Sequence, residues 1–186
     1  YRRKLLGQEP RLLNVLDRVA KESNWETPIG KNRGRGIALQ ESFGSIVAEV
    51  VEVSVDKGSI SVDRVVIAVD PGFAVAPDGL KAQMESGVIF GLTAALYGEV
   101  SIENGRVQQS NFDSYPMVRM ADSPVIETHI INSYEPWGGA GEPGTPGIAP
   151  ALANAIYAAT GTRVRELPVS KYEFNVAFEE RNTVPS

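Results

Sequence analysis

The chain has 186 residues, of which 42% are hydrophobic and 22% charged, a composition typical of a globular domain with a sizeable core. Its formal net charge of -5 argues against nucleic acid and anionic membrane surfaces as partners, because both favour a basic face. The absence of cysteine excludes disulfides and thiolate metal sites, and one histidine cannot build a protein-ligated metal centre. Any metal must therefore arrive within a cofactor, and no apolar run is long enough to span a membrane.

The first elements are a helix and a basic loop. Residues 10–20 predict a helix, because Pro10 suits the first turn and the apolar residues that follow recur on one face. Residues 25–36 are typical of a loop with basic side chains among glycines. These side chains are Lys31, Arg33 and Arg35. A solvated basic loop is favoured over a phosphate site, since the surrounding chain is acidic.

Strands and a long helix follow. Residues 45–69 are rich in valine and isoleucine and predict two strands joined as a hairpin through Asp56-Lys57-Gly58. A second helix is predicted from Asp78, as its cap, to about Leu96, with Gly98 as the stop. Apolar residues recur every four positions and predict a buried stripe. These residues are Leu80, Met84, Val88, Leu92 and Leu96. A second face of small residues, Gly87, Gly91 and Ala95, permits close approach of a neighbouring backbone.

Shorter elements occupy the second half of the chain. Asn104-Gly105 predicts a type I′ hairpin over residues 99–111. Residues 125–131 predict a strand, in which His129 is interpreted as a half-exposed strand residue and not as a catalytic base. An alanine-rich helix is predicted over residues 149–160 and a final short strand over residues 163–169. Hairpins and single helices without regular βαβ alternation predict an α+β fold with mixed hairpin strands and two or three helices. Residues 1–186 would form a single domain or the C-terminal part of a larger one.

A glycine-rich loop, residues 137–146, carries Glu142, the only charged side chain between Gly138 and Thr162. It precedes the alanine-rich helix, which begins either at Pro146 with Thr145 as cap or at Pro150. Three interpretations compete for this loop. It is a surface connection with a solvated glutamate, a G-x-G-x-x-G nucleotide fingerprint, or a glycine-walled pocket holding a general base.

The loop and the segment Ala82-Gln83-Met84-Glu85-Ser86-Gly87 resemble a known family over residues 1–169. They are similar to the C-terminal part of the molybdopterin-binding large subunit of the xanthine dehydrogenase and aldehyde oxidase family, isoquinoline 1-oxidoreductase beta-subunit type. In that family the glutamate of the G-x-G-E loop is the catalytic base, which maps onto Glu142, with Gly141 before it at the cofactor. The glutamine of Q-x-E-G contacts the pterin, which maps onto Gln83. The chain departs from the pattern at Ser86, Pro71 and Ala76, and the last two put a site role of their loop in doubt.

The resemblance implies part of a molybdenum hydroxylase that oxidises an aldehyde or N-heterocycle with water as the oxygen source. The implied cofactor is molybdopterin, plain or in the cytosine dinucleotide form, with 2Fe-2S clusters on a partner chain. The implied partners are the remainder of the large subunit, a small iron-sulfur subunit and a small-molecule substrate, in the cytoplasm or the periplasm. Two alternatives stay open: a nucleotide-binding domain that uses the GAGEPG loop, and a non-catalytic assembly module.

Overall fold

The computed structural model describes residues 1–174, and its centre is a mixed four-stranded sheet of order β1-β2-β3-β6. Its strands are β1 (Arg33–Ser42), β2 (Ser45–Asp56), β3 (Ser59–Asp70) and β6 (Val125–Ile130). The helices are α1 (Arg2–Leu5), α2 (Pro10–Glu22), α3 (Pro77–Tyr97) and α4 (Ile148–Thr160). A separate small hairpin pairs β4 (Ile102–Glu103) with β5 (Arg106–Val107), and 3-10 turns span Met120–Asp122 and Val169–Lys171. The predicted α+β class is confirmed.

Helices cover both faces of the sheet. Helix α2 packs Val15, Leu16 and Val19 against one face of the sheet. The strand residues on that face alternate along each strand with the residues on the opposite face. Helices α3 and α4 pack together on the opposite face, where the larger core lies. Strand β2 is therefore buried on both sides, which explains why it is a nearly continuous apolar run rather than a strictly alternating one. No helix within residues 1–174 has the length and hydrophobicity to cross a membrane.

One connection in the sheet was not predicted. Strands β1, β2 and β3 are antiparallel, but β6 runs parallel to β3, and α3 lies in the connection between them. This is a single βαβ crossover, which needs a long connection because parallel strands cannot be joined by a tight turn. It brings the chain after β6 back to the end of β3, beside the β1–β2 turn.

The predicted final strand over residues 163–169 is wrong. This segment is irregular, and the backbone N–H groups of Arg165 and Glu166 both donate to the hydroxyl of Tyr172 at 3.0 Å. The guanidinium of Arg163 stacks on the ring of Tyr157, 3.4 Å from its centroid. Pro168 cannot donate to a strand ladder, so the local side-chain contacts determine the conformation.

Most helix predictions are confirmed, but two caps are wrong. Helix α3 begins at Pro77 after Ala76, so Asp78 lies in the first turn, where a carboxylate still interacts favourably with the helix dipole. Helix α4 begins at Ile148 with Gly147 as its N-cap, so neither proposed start is observed. Pro150 is tolerated inside the first turn, because the N–H groups of that turn have no intrahelical acceptor.

The smaller predictions are mostly confirmed. Asn104 and Gly105 have φ of 50° and 75°, as a type I′ turn requires, and His129 is half-buried. The predicted basic loop is partly strand, because β1 begins at Arg33. Arg33 pairs with Asp63 at 3.0 Å, and Arg35 donates to Glu52 at 2.9 Å and to the carbonyl of Asn24 at 2.8 Å. Both arginines are therefore engaged in structural contacts.

Strand β1 contains two glycines because the backbone of α4 lies directly on it. A Cβ at Gly36 would overlap the carbonyl oxygen of Ala151 and the amide nitrogen of Ala155. A Cβ at Gly34 would lie 2.6 Å from the amide nitrogen of Ala159. All three are backbone atoms of α4 that cannot rotate away, so a side chain on either glycine would push α4 off the sheet.

We expect Gly36→Ala to lower the free energy of unfolding by about 1–3 kcal/mol, as overpacking in a well-filled core does. The measurement is urea unfolding followed by circular dichroism. Gly79→Ala is the matched control, since a Cβ there would meet only the Cβ of Ala76 at 3.8 Å. That control should be neutral or more stable by up to about 1 kcal/mol, because alanine is the better helix former. Equal stability of both variants would contradict the close contact of α4 with β1.

Candidate functional site

The glycine-rich loop is attached to the turn between β1 and β2. The N–H of Gly139 donates to the carbonyl of Phe43 at 2.8 Å, and the hydroxyl of Ser45 donates to the carbonyl of Gly139 at 2.6 Å. The N–H of Gly138 donates to the carbonyl of Pro71 at 3.0 Å. A Cβ at Gly139 would lie 2.9 Å from the Cβ of Phe43, and one at Gly138 would overlap Ser45. These two glycines are therefore explained by packing within the chain.

Helix α3 approaches the same loop from the other side. A Cβ at Gly87 would lie 3.1 Å from the carbonyl carbon of Gly144, and one at Gly91 would lie 2.7 Å from the carbonyl oxygen of Thr145. The predicted small-residue face of α3 thus receives the loop backbone, and this prediction is confirmed. Gln83 lies one helical turn before Gly87, which places it beside the middle of the loop.

The three predicted site residues meet at one opening between α3 and the loop. A cleft of about 530 Å³ contains all three, and an adjoining cleft of about 400 Å³ shares Gln83 and Gly141 with it. The larger cleft is lined by Ser42, Phe43, Gln83, Ser86, Gly87, Phe90, Gly141, Glu142, Thr145 and Pro146. The chain therefore brings together residues that are almost 60 positions apart, which sequence spacing alone could not establish.

Each predicted residue faces solvent in this chain. Glu142 and Gln83 are exposed, and within residues 1–174 neither side chain makes a hydrogen bond. The carbonyl of Glu142 accepts the N–H of Thr145 at 2.9 Å, which closes a turn just before α4. Gly141 differs from the glycines around it, because a Cβ there would meet no described atom within 4 Å and its φ is outside the left-handed region. Nothing in the described chain therefore explains why this position is glycine.

Sequence reasoning missed two aromatic residues at the larger cleft. Phe43 is 68% exposed and Phe90 is 69% exposed, and Trp137 beside the smaller cleft is 74% exposed. Phe43 also has a φ of 54°, in the left-handed region that a bulky residue rarely adopts. It occupies the first position of a two-residue hairpin turn, where asparagine or glycine is preferred. A phenylalanine where a two-residue turn prefers asparagine or glycine makes Phe43 a candidate functional residue, and this signal is visible in the sequence.

A buried ion pair between Arg11 and Asp70 contacts the segment that precedes the glycine-rich loop. Asp70, at the end of β3, accepts hydrogen bonds from Arg11 Nε, the N–H of Gly72 and the hydroxyl of Ser133, each at 2.8 Å. Burial alone would raise the pKa of Asp70, but the hydrogen bonds from Arg11, Gly72 and Ser133 outweigh it and lower the pKa. The pair joins α2 to the end of β3 and, through Ser133, to the segment that leads from β6 into the glycine-rich loop.

A second buried carboxyl lies directly behind the loop. Glu49, on β2, is 1% exposed, and neither of its oxygens has a hydrogen-bond partner among the described residues. Burial raises the pKa of Glu49 well above its usual range. Its Cδ would lie 3.0 Å from a Cβ at Gly147, so the N-cap of α4 is glycine because this carboxyl occupies the space.

The architecture is similar to part of the solved aldehyde oxidoreductases. The chain matches the aldehyde oxidoreductase of Desulfovibrio desulfuricans with a TM-score of 0.56 and 25% identity, over 69% of this chain and 15% of that one. Residues 17–124 match the family model described as a molybdopterin cofactor-binding domain. The chain therefore belongs to the molybdopterin cofactor-binding domain family.

Curated relatives extend this similarity across the loop. The chain is 37% identical over 169 residues to isoquinoline 1-oxidoreductase subunit beta of Brevundimonas diminuta, which covers 88% of this chain. It is 34% identical over 171 residues to a membrane-bound aldehyde dehydrogenase of Gluconacetobacter polyoxogenes that is named for pyrroloquinoline quinone. The chain spans 22% of the length of each of these relatives. The resemblance drawn from the sequence is confirmed at the level of the family.

Proposed function

We propose that the chain is part of the catalytic subunit of a molybdenum hydroxylase that oxidises an aldehyde or N-heterocycle with water as the oxygen source. The observation that carries the proposal is the meeting of Gln83, Gly141 and Glu142 at one cleft of about 530 Å³. The family match and the oxidoreductase names of the relatives support it. Because the chain spans about a fifth of those relatives, its activity would need the remainder of the subunit.

The residues at the cleft fit a pterin cofactor. The amide of Gln83 is exposed at the junction of both clefts, where it would donate and accept hydrogen bonds at once, as a pterin edge requires. Gly141 leaves open space where any side chain would enter the cleft, so a flat ring system would pack against its backbone. The cofactor, when bound, would supply the metal that accepts the substrate's electrons.

Glu142 would act as the general base. An ionised carboxylate at this opening would take up the proton that the water-derived nucleophile releases. The N-terminus of α4, which begins six residues further on at Ile148, favours negative charge near it. Glu142 is exposed in this chain, so exclusion of water from the base would depend on the remainder of the subunit covering the cleft.

Electron transfer would require a second polypeptide. The sequence contains no cysteine, so it provides no thiolate ligands for 2Fe-2S clusters, which would reside on a small iron-sulfur subunit. The exposed aromatic residues around the clefts would be covered by the remainder of the large subunit. The dinucleotide alternative is weakened, because residues 131–138 separate β6 from the first glycine of GAGEPG and no tight strand-to-helix turn forms.

We expect Gly141→Leu, in the complete large subunit with its native partner, to weaken cofactor binding by at least about tenfold, a loss of roughly 1.4 kcal/mol, and so to lower the molybdenum-to-protein ratio. Folding should be unchanged, because Gly141 is exposed and a Cβ there would meet no described atom within 4 Å. Gly7→Leu is the control, since a Cβ there meets only the carbonyl oxygen of Lys4 at 3.9 Å. The measurement is metal analysis of the purified proteins.

Three results would count against this proposal. A molybdenum content of Gly141→Leu equal to that of the unaltered protein would exclude the cleft as the cofactor site. Unaltered protein that contains pyrroloquinoline quinone and no molybdenum would favour the cofactor named for the Gluconacetobacter relative. Unaltered turnover when Gln83 and Glu142 are both replaced would favour a non-catalytic assembly module.

A further inference from the structure

The loop that carries Glu142 is held on its far side by a single side chain. Before Glu142, three hydrogen bonds attach residues 138 and 139 to the rest of the chain. After Glu142, the Nε2 of Gln40 donates to the carbonyl of Pro143 at 2.8 Å. Among residues 1–174, this is the one side chain that hydrogen-bonds the backbone between Glu142 and the start of α4. Gln40 therefore controls the residue adjacent to Glu142.

Gln40 is itself placed beside the buried carboxyl of Glu49. In the β1–β2 register Gln40 faces Val47 and Glu49 faces Ala38, so the two side chains are diagonal neighbours on the same face of the sheet. Gln40 Nε2 and Glu49 Cδ lie 3.3 and 3.0 Å from the position of a Cβ on Gly147. The two groups therefore pack side by side at the start of α4, although neither oxygen of Glu49 has a hydrogen-bond partner among the described residues.

The presence of a glutamate at position 49 is not explained by a contribution to the stability of the fold. A buried carboxyl without a hydrogen-bond partner destabilises a fold, and an apolar residue of similar volume in its place is often stabilising. The neighbours of Glu49 on this face of β2 are Val47 and Val51, both fully buried, so leucine would suit the environment better. A polar group kept in such a place at the expense of stability is typical of a functional constraint.

We infer that Gln40 and Glu49 are positioning residues for the proposed catalytic carboxylate. Gln40 holds the carbonyl of Pro143, and Glu49 packs beside the amide of Gln40 and against Gly147. These contacts determine where Glu142 projects into the cleft. The contact between Glu49 and Gly147 also fixes the N-cap of α4 relative to the sheet. This inference rests on the proposed function of Glu142, but the restraint on the loop itself can be measured without any activity.

The first test is hydrogen–deuterium exchange of the amides in residues 141–147. Gln40→Leu and Glu49→Leu should each accelerate exchange in this segment about tenfold, because the loop loses a restraint, and leave α2 unchanged. Glu49→Gln keeps a hydrogen-bonding side chain of the same length, so exchange of these amides should stay as slow as in the unaltered protein. Unchanged exchange in both leucine variants would overturn the inference, whatever the enzyme does.

The second test is kinetic and uses the complete enzyme. Glu49→Leu should lower kcat by about ten- to a hundredfold with KM nearly unchanged, because a small displacement of a catalytic group has that effect. Its melting temperature should stay equal or rise, which a merely structural role would not produce. In a Glu142→Gln background, Glu49→Leu and Gln40→Leu should have no further effect on kcat.

The outcomes separate the two proposals. Additive losses in the double variants, or a fall in melting temperature that parallels the loss of kcat, would overturn the positioning role. Full activity of Glu142→Gln alone would overturn the proposed base, and would do so independently of the exchange result.

Discussion

Glu142→Gln is expected to lower kcat of the complete enzyme by about 10²–10⁴-fold, the range that a positioned general base contributes. Glutamine has nearly the shape of glutamate, but its amide cannot accept the proton. Since Glu142 is exposed and its side chain makes no hydrogen bond within residues 1–174, the exchange should leave the fold and the molybdenum content unchanged. The measurement is steady-state kinetics on protein of known molybdenum content.

Glu85→Gln is the matched control for this experiment. Glu85 is an exposed glutamate on α3, close in sequence to Gln83, but it does not line either cleft. The same change of charge should therefore leave kcat within about twofold, as surface substitutions away from a site usually do. Turnover of Glu142→Gln equal to that of Glu85→Gln, with molybdenum still bound, would show that Glu142 is not the base.

Arg11→Met is expected to lower the free energy of unfolding by about 3 kcal/mol at pH 7, because it leaves the buried carboxylate of Asp70 without its cation. The side chain of Asp70 is 1% exposed, and its Oδ2 lies 2.8 Å from the Nε of Arg11. Methionine keeps most of the apolar stem of arginine, so the loss reports mainly the charge. Urea unfolding at fixed pH measures it.

The control for the ion pair is Arg3→Met. Arg3 and Asp17 form an ion pair with side chains 64% and 41% exposed, so its loss should change the free energy of unfolding by less than about 1 kcal/mol. Equal effects of Arg3→Met and Arg11→Met would show that the Asp70 pair is no stronger than a surface pair.

The pH dependence gives a second measurement on Asp70. Its folded pKa is lowered from the ordinary value of 3.8, so its stabilising contribution is complete above that value and is lost as the pH falls below it. In Arg11→Met the hydrogen bond and the charge of Arg11 no longer lower the pKa of Asp70, and only the hydrogen bonds from Gly72 and Ser133 oppose the effect of burial. Protonation therefore relieves the unpaired charge at a higher pH than in the unaltered chain. The difference in stability between the variant and the unaltered chain should therefore shrink as the pH falls from 7 towards 4.

The elements of the candidate site were predictable to different degrees. Gln83, Gly141 and Glu142 lie in two short segments whose similarity to a family is visible in the sequence. Gln40 and Glu49 were missed, because nothing in a strand pattern distinguishes a polar residue that faces a helix from one that faces water. Gln40 precedes Pro143 by 103 positions, and their contact depends on how β1 and α4 are brought together.

The sequence by itself determined the secondary structure wherever the hydrophobic period was long and unbroken. Helices α2 and α3 and strands β2 and β3 follow from local patterns, because burial on one or both faces leaves its period in the chain. The same reasoning failed over residues 163–169, where contacts of Arg163 and Tyr172 outweigh weak strand propensity. The start of α4 was also missed, since its cap depends on a carboxyl from another strand.

Only the tertiary structure decided which residues surround Glu142. The parallel pairing of β6 with β3 returns the chain to the β1–β2 turn, and the glycines of α3 and β1 allow helix, strand and loop backbones to touch. These contacts join segments that are far apart in sequence, and their geometry depends on strand register and helix packing, which local preferences do not encode. The sequence therefore identified the candidate base and the family, and the fold showed which residues contact the loop that carries Glu142.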